Sequence, residues 1–356
     1  MAATRAGTQL SSLDVEVTRG PVVESRHRVH AAVTDASGAL MAWAGNPQLV
    51  AHWRSCAKPL QVFALVASGE LDRLGWGEHE LALACASHGG EPEHVALAAA
   101  MLQSLGLDES ALACGPHLPL SDRGVAELAA TGRQPTRLHN NCSGKHSAML
   151  ARARQLGEPT DGYEQLRHAV QQENLHRVAH WTGMAADAVP TGVDGCGVPV
   201  FALPLSAMAR AYAALVTGSP TAQDPVARAA AERIVSAMTR QPFLVGGTGR
   251  FDTALMEATD GAVLAKLGAE GVHSLAWRAQ GWGIALKVED GATRAQYPAV
   301  LALLQQIGAL PVALPTSLVP FAETSVSNTL NAEVGAVRVV RTERSSRAPT
   351  MSRELK

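Results

Sequence analysis

The segment Arg54–Gln61, RSCAKPLQ, constrains the fold of this chain more than any other stretch. It holds a Ser-x-x-Lys pair, Ser55 and Lys58, followed by Pro59 and the apolar run from Val62 to Val66. Proline fits a helix only near its start, where its missing N–H loses no partner. The spacing predicts a helix over residues 54–67, with its body buried and its first turn at the edge of the core. Residues three apart on a helix share a face. A hydroxyl and an amine would therefore stand one turn apart at the helix mouth.

Such a pair can support nucleophilic chemistry on one condition. A serine hydroxyl is a weak nucleophile until a base takes its proton, and a free lysine, with a reference pKa of about 10.4, is charged. Burial or a neighbouring cation lowers that value. Reaching about 7 costs about 4–5 kcal/mol, at about 1.36 kcal/mol per pH unit. Reading Ser55 as a nucleophile thus requires a buried, polar second layer around Lys58. Ser-x-x-Lys also arises by chance, and the tetrapeptide alone leaves both readings open.

The rest of the chain narrows the class. Its 356 residues can build one large or two modest domains. A charged fraction of 17% beside a hydrophobic fraction of 47% fits an ordinary globular protein. The net charge is −2, and no basic stripe with interleaved aromatics occurs, so no nucleic-acid partner is expected. No apolar run approaches the length of a membrane span, so no membrane partner is expected either. The first twenty residues lack the apolar core of a signal peptide, and five scattered cysteines fit reduced thiols. The expected location is cytoplasmic.

Taken in order, residues 1–13 read as a loose leader and residues 15–45 as strands, with a hairpin at Ala36-Ser37-Gly38. An apolar stretch over 78–86 stops at Ser87-His88-Gly89-Gly90, and Glu91-Pro92-Glu93 opens a helix that runs to about 105. That places Ser87 at a glycine-rich corner ahead of a helix, a place for a presented side chain or for an ordinary turn serine. HNNCSGKHSAML, His139 to Leu150, is the densest polar cluster and leads into another helix. It is not a P-loop, since His139 stands where a glycine is needed and His146 where a Ser or Thr is needed. Further helices are expected over 164–181, 223–239 and 296–308. PTGVDGCGVPVFALP, from Pro190, reads as a glycine-rich loop entering a buried segment, with Asp194 its only acid. Strands are expected over 261–268 and 283–288, at hairpin-like distance, and over 333–341. Lys266 in the first of these either snorkels or faces a site. A disordered tail is expected over 342–356, leaving a single domain over 1–341.

Cys142, Lys145 and Cys196 raise the question of a metal. Two thiolates and a nitrogen would suit Zn²⁺. The chain has no CxxC pair and no HExxH, and two buried free thiols are the alternative.

Four motifs in one order, RSCAKPLQ, CASHGGEPEH, NNCSGKHSAML and GVDGCGVP, resemble those of the rhizobial-type L-asparaginases, over about residues 15–340. The resemblance implies an α/β fold, an antiparallel β-sheet core flanked by helices like that of the serine β-lactamases and glutaminases. It implies two Ser-Lys tandems, Ser55 with Lys58 and Ser87 with Lys266. Lys266-Leu267-Gly268 is similar to the Lys-Thr-Gly strand motif of β-lactamases. It also implies Zn²⁺ held by Cys142, Lys145 and Cys196, with substrate contacts from Asp194, His146, Arg54 and Asn141, and a homodimer. The implied reaction converts L-asparagine to L-aspartate and ammonia. Lys58 deprotonates Ser55, Ser55 forms an acyl-enzyme, and the second tandem relays protons or polarises the first. The alternative is a glutaminase or a penicillin-interacting acyl-serine hydrolase. Against the latter, Ser121-Asp122-Arg123 carries Arg where a Ser-Asp-Asn triplet needs Asn.

Overall fold

A computed structural model of the chain describes residues 7–218 and 224–340. The expected tail over 342–356 and the first six residues of the expected leader lie outside them. The strands are β1 (Thr8–Gln9), β2 (Val15–Arg19), β3 (Val22–His27), β4 (Val29–Thr34), β5 (Leu40–Ala44), β6 (Val50–His52), β7 (Thr191–Val193), β8 (Pro199–Pro204), β9 (Val263–Leu267), β10 (Val272–Trp277), β11 (Trp282–Val288), β12 (Thr324–Ser327) and β13 (Glu333–Val339). The main sheet runs β1-β5-β4-β11-β10-β9 and is antiparallel except for the β1–β5 pair. A second sheet runs β12-β13-β2-β3, and a small third one β6-β8-β7.

The main sheet joins the N-terminal hairpin β4–β5 to a C-terminal meander, so β4 pairs with β11 across some 250 residues of chain. β4 is buried at every position, and β9, β10 and β11 nearly so. Strands buried throughout have both faces covered. The helices Leu205–Thr217 and Thr293–Gln306 both pack against β11. Gly283 of β11 is where the first comes closest, since a Cβ there would sit 1.8 Å from Ala209 O. Glycine is required by the contact itself.

A helical layer completes the molecule. Its centre is Glu78–Cys85, a short helix buried from Leu81 to Cys85 and packed against Pro92–Ser104, Ser143–Gln155 and Pro225–Arg240. A helix apolar on all sides must be enclosed. Its C-terminal end delivers Ser87 into the interior.

Four expectations need correction. Residues 54–67 do not form one helix. They form a 3-10 turn, Arg54–Ala57, and two short α segments, Lys58–Gln61 and Phe63–Ala67. Pro59 has no N–H to offer Ser55 O, which accepts the Lys58 N–H instead, and Tyr212 Oη donates to the Cys56 carbonyl at 2.8 Å. The leader is not loose at Thr8–Gln9, which pairs with β5. The helix expected from 164 begins at Ala169, capped by the His168 side chain accepting Val170 N–H. Finally, 261–268 and 283–288 are not hairpin partners. β10 lies between them and pairs with both. A tight turn at Glu270-Gly271, both at positive φ, makes room for it.

Candidate active site

Ser87 and two lysines form the centre. The backbone N–H of Ser87 donates to Val245 O at 3.1 Å, fixing the corner after Glu78–Cys85. Its hydroxyl receives Lys58 Nζ at 2.9 Å and Lys266 Nζ at 2.8 Å. All three residues are buried, at 1% exposure or less. Lys58 Nζ also donates to the carbonyls of Ala86 and of Asn141, the latter at 3.2 Å. Lys266 Nζ donates to Leu267 O at 2.9 Å. The second polar layer that Lys58 requires is therefore present, but its amine is turned to Ser87.

Ser55 sits in the 3-10 turn three residues before Lys58. The i and i+3 side chains of such a turn eclipse. Ser55 is half-buried, and its hydroxyl makes no hydrogen bond among the described residues. The first tandem is thus adjacent in the chain yet unbonded, while the second, Ser87 with Lys266, is formed and shared with Lys58. Arg54 beside it adopts φ 51°, a left-handed conformation uncommon for a residue with a Cβ.

Two lysines on one hydroxyl compete for charge. Burial, and then the charge of Lys58, lowers the Lys266 pKa to about 8, although Asp252 opposes the shift. A lysine so placed is closer to losing its proton at neutral pH than a free lysine is.

A second cluster adjoins the first through Asn141. Lys145, in the first turn of Ser143–Gln155, brings Nζ to 3.0 Å from Cys196 Sγ. The interaction of Cys142 with Cys196 holds Cys142 well below the usual thiol range and pushes Cys196 up. Burial alone would lower Lys145, but the two sulfurs outweigh it and raise its pKa. Asp194 lies alongside. Its Oδ1 accepts Arg54 Nε at 2.9 Å and Gly195 N–H at 2.8 Å. Despite burial its carboxyl is lowered, by Lys145 and by Arg54.

His146 is buried against Tyr163, with 2.5 Å between Nδ1 and Oη, and its Nε2 has no partner among the described residues. Burial, then Lys145 and Lys58, holds it neutral. Asn141 offers its carbonyl to Lys58 and its N–H to His117 Nε2 at 2.9 Å, and its side-chain Oδ1 lies 3.3 Å from that nitrogen. Among the described residues no group of three or more His, Cys, Asp or Glu could hold a metal. A cation between Cys142 and Cys196 therefore needs the Lys145 nitrogen as third donor. Two sulfurs and the Lys145 nitrogen converge there, and that nitrogen serves as a donor only after losing the proton that the sulfurs stabilise.

Several supporting residues have no signal in the four motifs' chemistry. Cys56 S–H donates to Lys266 O at 3.1 Å, tying the Ser-x-x-Lys segment to β9. Trp53 Nε1 donates to Ser274 Oγ at 2.9 Å, opposite Lys266 on β10. Glu91 ties the glycine-rich corner at Gly89-Gly90 to a second one, Gly246-Gly247-Thr248-Gly249, accepting Thr248 N–H at 2.7 Å and Thr248 Oγ1 at 2.8 Å, and it also accepts Arg123 Nη1 at 2.8 Å. Ser121 caps the helix Asp122–Ala130 by accepting Gly124 N–H. Ser121 and Arg123 are thus occupied in structural contacts. A cavity of about 280 Å³ reaches Arg54 and His52. Another, of about 930 Å³, lies away from Ser87, between the helix Thr293–Gln306 and β13.

The L-asparaginase II family model matches residues 15–339. The chain belongs to the L-asparaginase II family. That extent includes every residue of both clusters and supports an asparaginase-type amidohydrolase acting on a small molecule. No curated protein matches. Among solved structures, two of a protein named Mglu are similar. One, in its native form, is 15% identical over 89% of this chain and 71% of its own, with a TM-score of 0.45. The other is 14% identical over 86% and 72%, with a TM-score of 0.46. No helix of the described residues is long and apolar enough to cross a membrane.

Proposed function

We propose that this protein hydrolyses the side-chain amide of L-asparagine to L-aspartate and ammonia through a serine acyl-enzyme. The observation that carries the reading is the continuous chain from Lys58 through Ser87 to Lys266. It supplies a buried route for the proton that a serine must lose.

Ser55 is the attacking hydroxyl in this reading. It is half-exposed where Ser87 is 1% exposed, so substrate reaches it first. Lys58 swings from Ser87 toward Ser55 to accept the proton and passes it along Ser87 to Lys266. The protonated relay then returns it to the departing ammonia. Water, activated by the same relay, releases aspartate. Arg54 and Asp194 hold the polar end of the substrate, its α-carboxylate and α-amine. The neutral His146 offers its unpartnered Nε2 to the same region. Cys142, Lys145 and Cys196 would hold Zn²⁺, which when bound supplies a fixed positive charge beside the substrate polar end.

One observation favours a second reading. Ser87 already accepts both lysines, so it is the attacking group if substrate penetrates to it. Ammonia release from L-asparagine by the wild type and by Ser55→Ala, with zinc content measured on both, decides between them. The first reading expects a folded, zinc-loaded and inactive variant. A variant that keeps most of its activity moves the attack to Ser87. No turnover by the zinc-loaded wild type sinks the asparaginase reading.

A further inference from the structure

A buried anion stands behind Lys266. Asp252, in the first turn of the helix Phe251–Ala258, has no exposure to solvent. Its Oδ2 accepts the Leu267 N–H at 2.7 Å, and its Oδ1 lies 2.9 Å from Nε2 of the equally buried His273. Leu267 follows Lys266 on β9, which is one of the two edge strands of the main sheet. An edge strand leaves outward N–H groups without a strand partner, and the carboxylate takes this one. The carbonyl of the same peptide unit, that of Lys266, accepts Cys56 S–H. The peptide between Lys266 and Leu267 is therefore held at both ends. A neutral acceptor would satisfy the Leu267 N–H equally well, and burying a carboxylate is costly. The charge itself calls for a use.

We propose that Asp252, held by His273, is a positioning residue that aims the Lys266 amine at Ser87 and tunes its affinity for a proton. The proposal rests on the reading of Lys266 as a proton acceptor. Lys266 faces Lys58, Cys56, Cys85, Cys142 and Asp252. Cys56 and Cys85 are pushed up to about 12 by burial and stay neutral, so the anions that offset Lys58 there are Asp252 first and Cys142 after it. Around Asp252 stand His273, Tyr212 and Tyr297. Asp252 therefore opposes the lowering of Lys266 that burial and Lys58 produce.

The test is Asp252→Asn, which keeps the shape and removes the charge. Two quantities are read in parallel. One is the acid limb of kcat/KM for asparagine. The other is the titration of Lys266 by NMR on protein labelled at lysine Cε, feasible because the chain has five lysines. Both are expected to move to lower pH by about one pH unit or more. His273→Gln removes the imidazole that offsets the carboxylate, and both readouts are expected to move to higher pH. A residue that only props the strand would lower kcat and leave both where they are in the wild type, and that result overturns the proposal. If Asp252→Asn does not fold, His273→Gln decides alone, and an absent or downward shift overturns it. A wild type without asparagine hydrolysis refutes the proposed function, while the NMR titration still answers for Asp252.

Discussion

Lys266 and Lys145 are both buried amines within one connected site, yet their surroundings drive them apart. Lys266 shares a serine with a second lysine, and burial with that like charge brings it to about 8. Lys145 lies against Cys196 with Cys142 beside it, and the sulfur charge raises it against the pull of burial. Burial alone does not decide what a lysine does; the charge it is buried against does. In the proposed function one cluster moves a proton and the other holds a positive charge in place.

The comparison breaks most visibly at Lys266. Lys266→Met is expected to lower kcat for asparagine by about 10³-fold or more, since the relay loses its terminal acceptor. Ammonia assays on the folded variant check this, and a loss under tenfold would remove Lys266 from the chemistry. The same variant sharpens the contrast through stability. A lysine lowered to about 8 when folded, against about 10.4 unfolded, binds fewer protons folded than unfolded between those values. The wild type therefore gains stability relative to Lys266→Met as pH rises from 8 to 10.4, by about 3 kcal/mol. Urea unfolding of both proteins at pH 7.5 and pH 10 measures it. A difference independent of pH contradicts the lowered value.

At the cradle, Cys196→Ser is expected to lose zinc and to raise KM for asparagine by about 10–100-fold, with a smaller effect on kcat. Elemental analysis and steady-state kinetics check both. A variant that keeps its zinc would take Cys196 out of the donor set. The smallest effect is expected at Arg54. Arg54→Lys keeps the charge but loses the Nε contact to Asp194, and KM should rise by about tenfold with kcat little changed.

Much of this was legible in residue order. RSCAKPLQ, CASHGGEP, NNCSGKH and GVDGCGVP supply Lys58, Ser87, Lys145 and Cys196, while the strand pattern left Lys266 open and the family resemblance singled it out. Two things were not. Spacing pairs Ser55 with Lys58 because they are three apart, but the amine turns to Ser87, where the Ala86 and Asn141 carbonyls accept its other hydrogens, and Pro59 leaves the segment as a 3-10 turn. Spacing also passes over Asp252, His273 and Cys56. An acid in the first turn of a short helix or a histidine in an apolar strand acquires meaning only when topology places β9 at the sheet edge beside it. β10 escaped notice for a related reason: His273 and Ser274 interrupt its apolar run, and both face partners that only the fold supplies.

The most direct test of the central claim is to locate the acyl group. Wild-type enzyme is mixed with L-asparagine, quenched in acid during turnover, digested and mapped by mass spectrometry. The account predicts an aspartyl ester on the peptide that carries Ser55, absent from Ser55→Ala. An ester on the Ser87 peptide, or turnover with no ester on either serine, would contradict it.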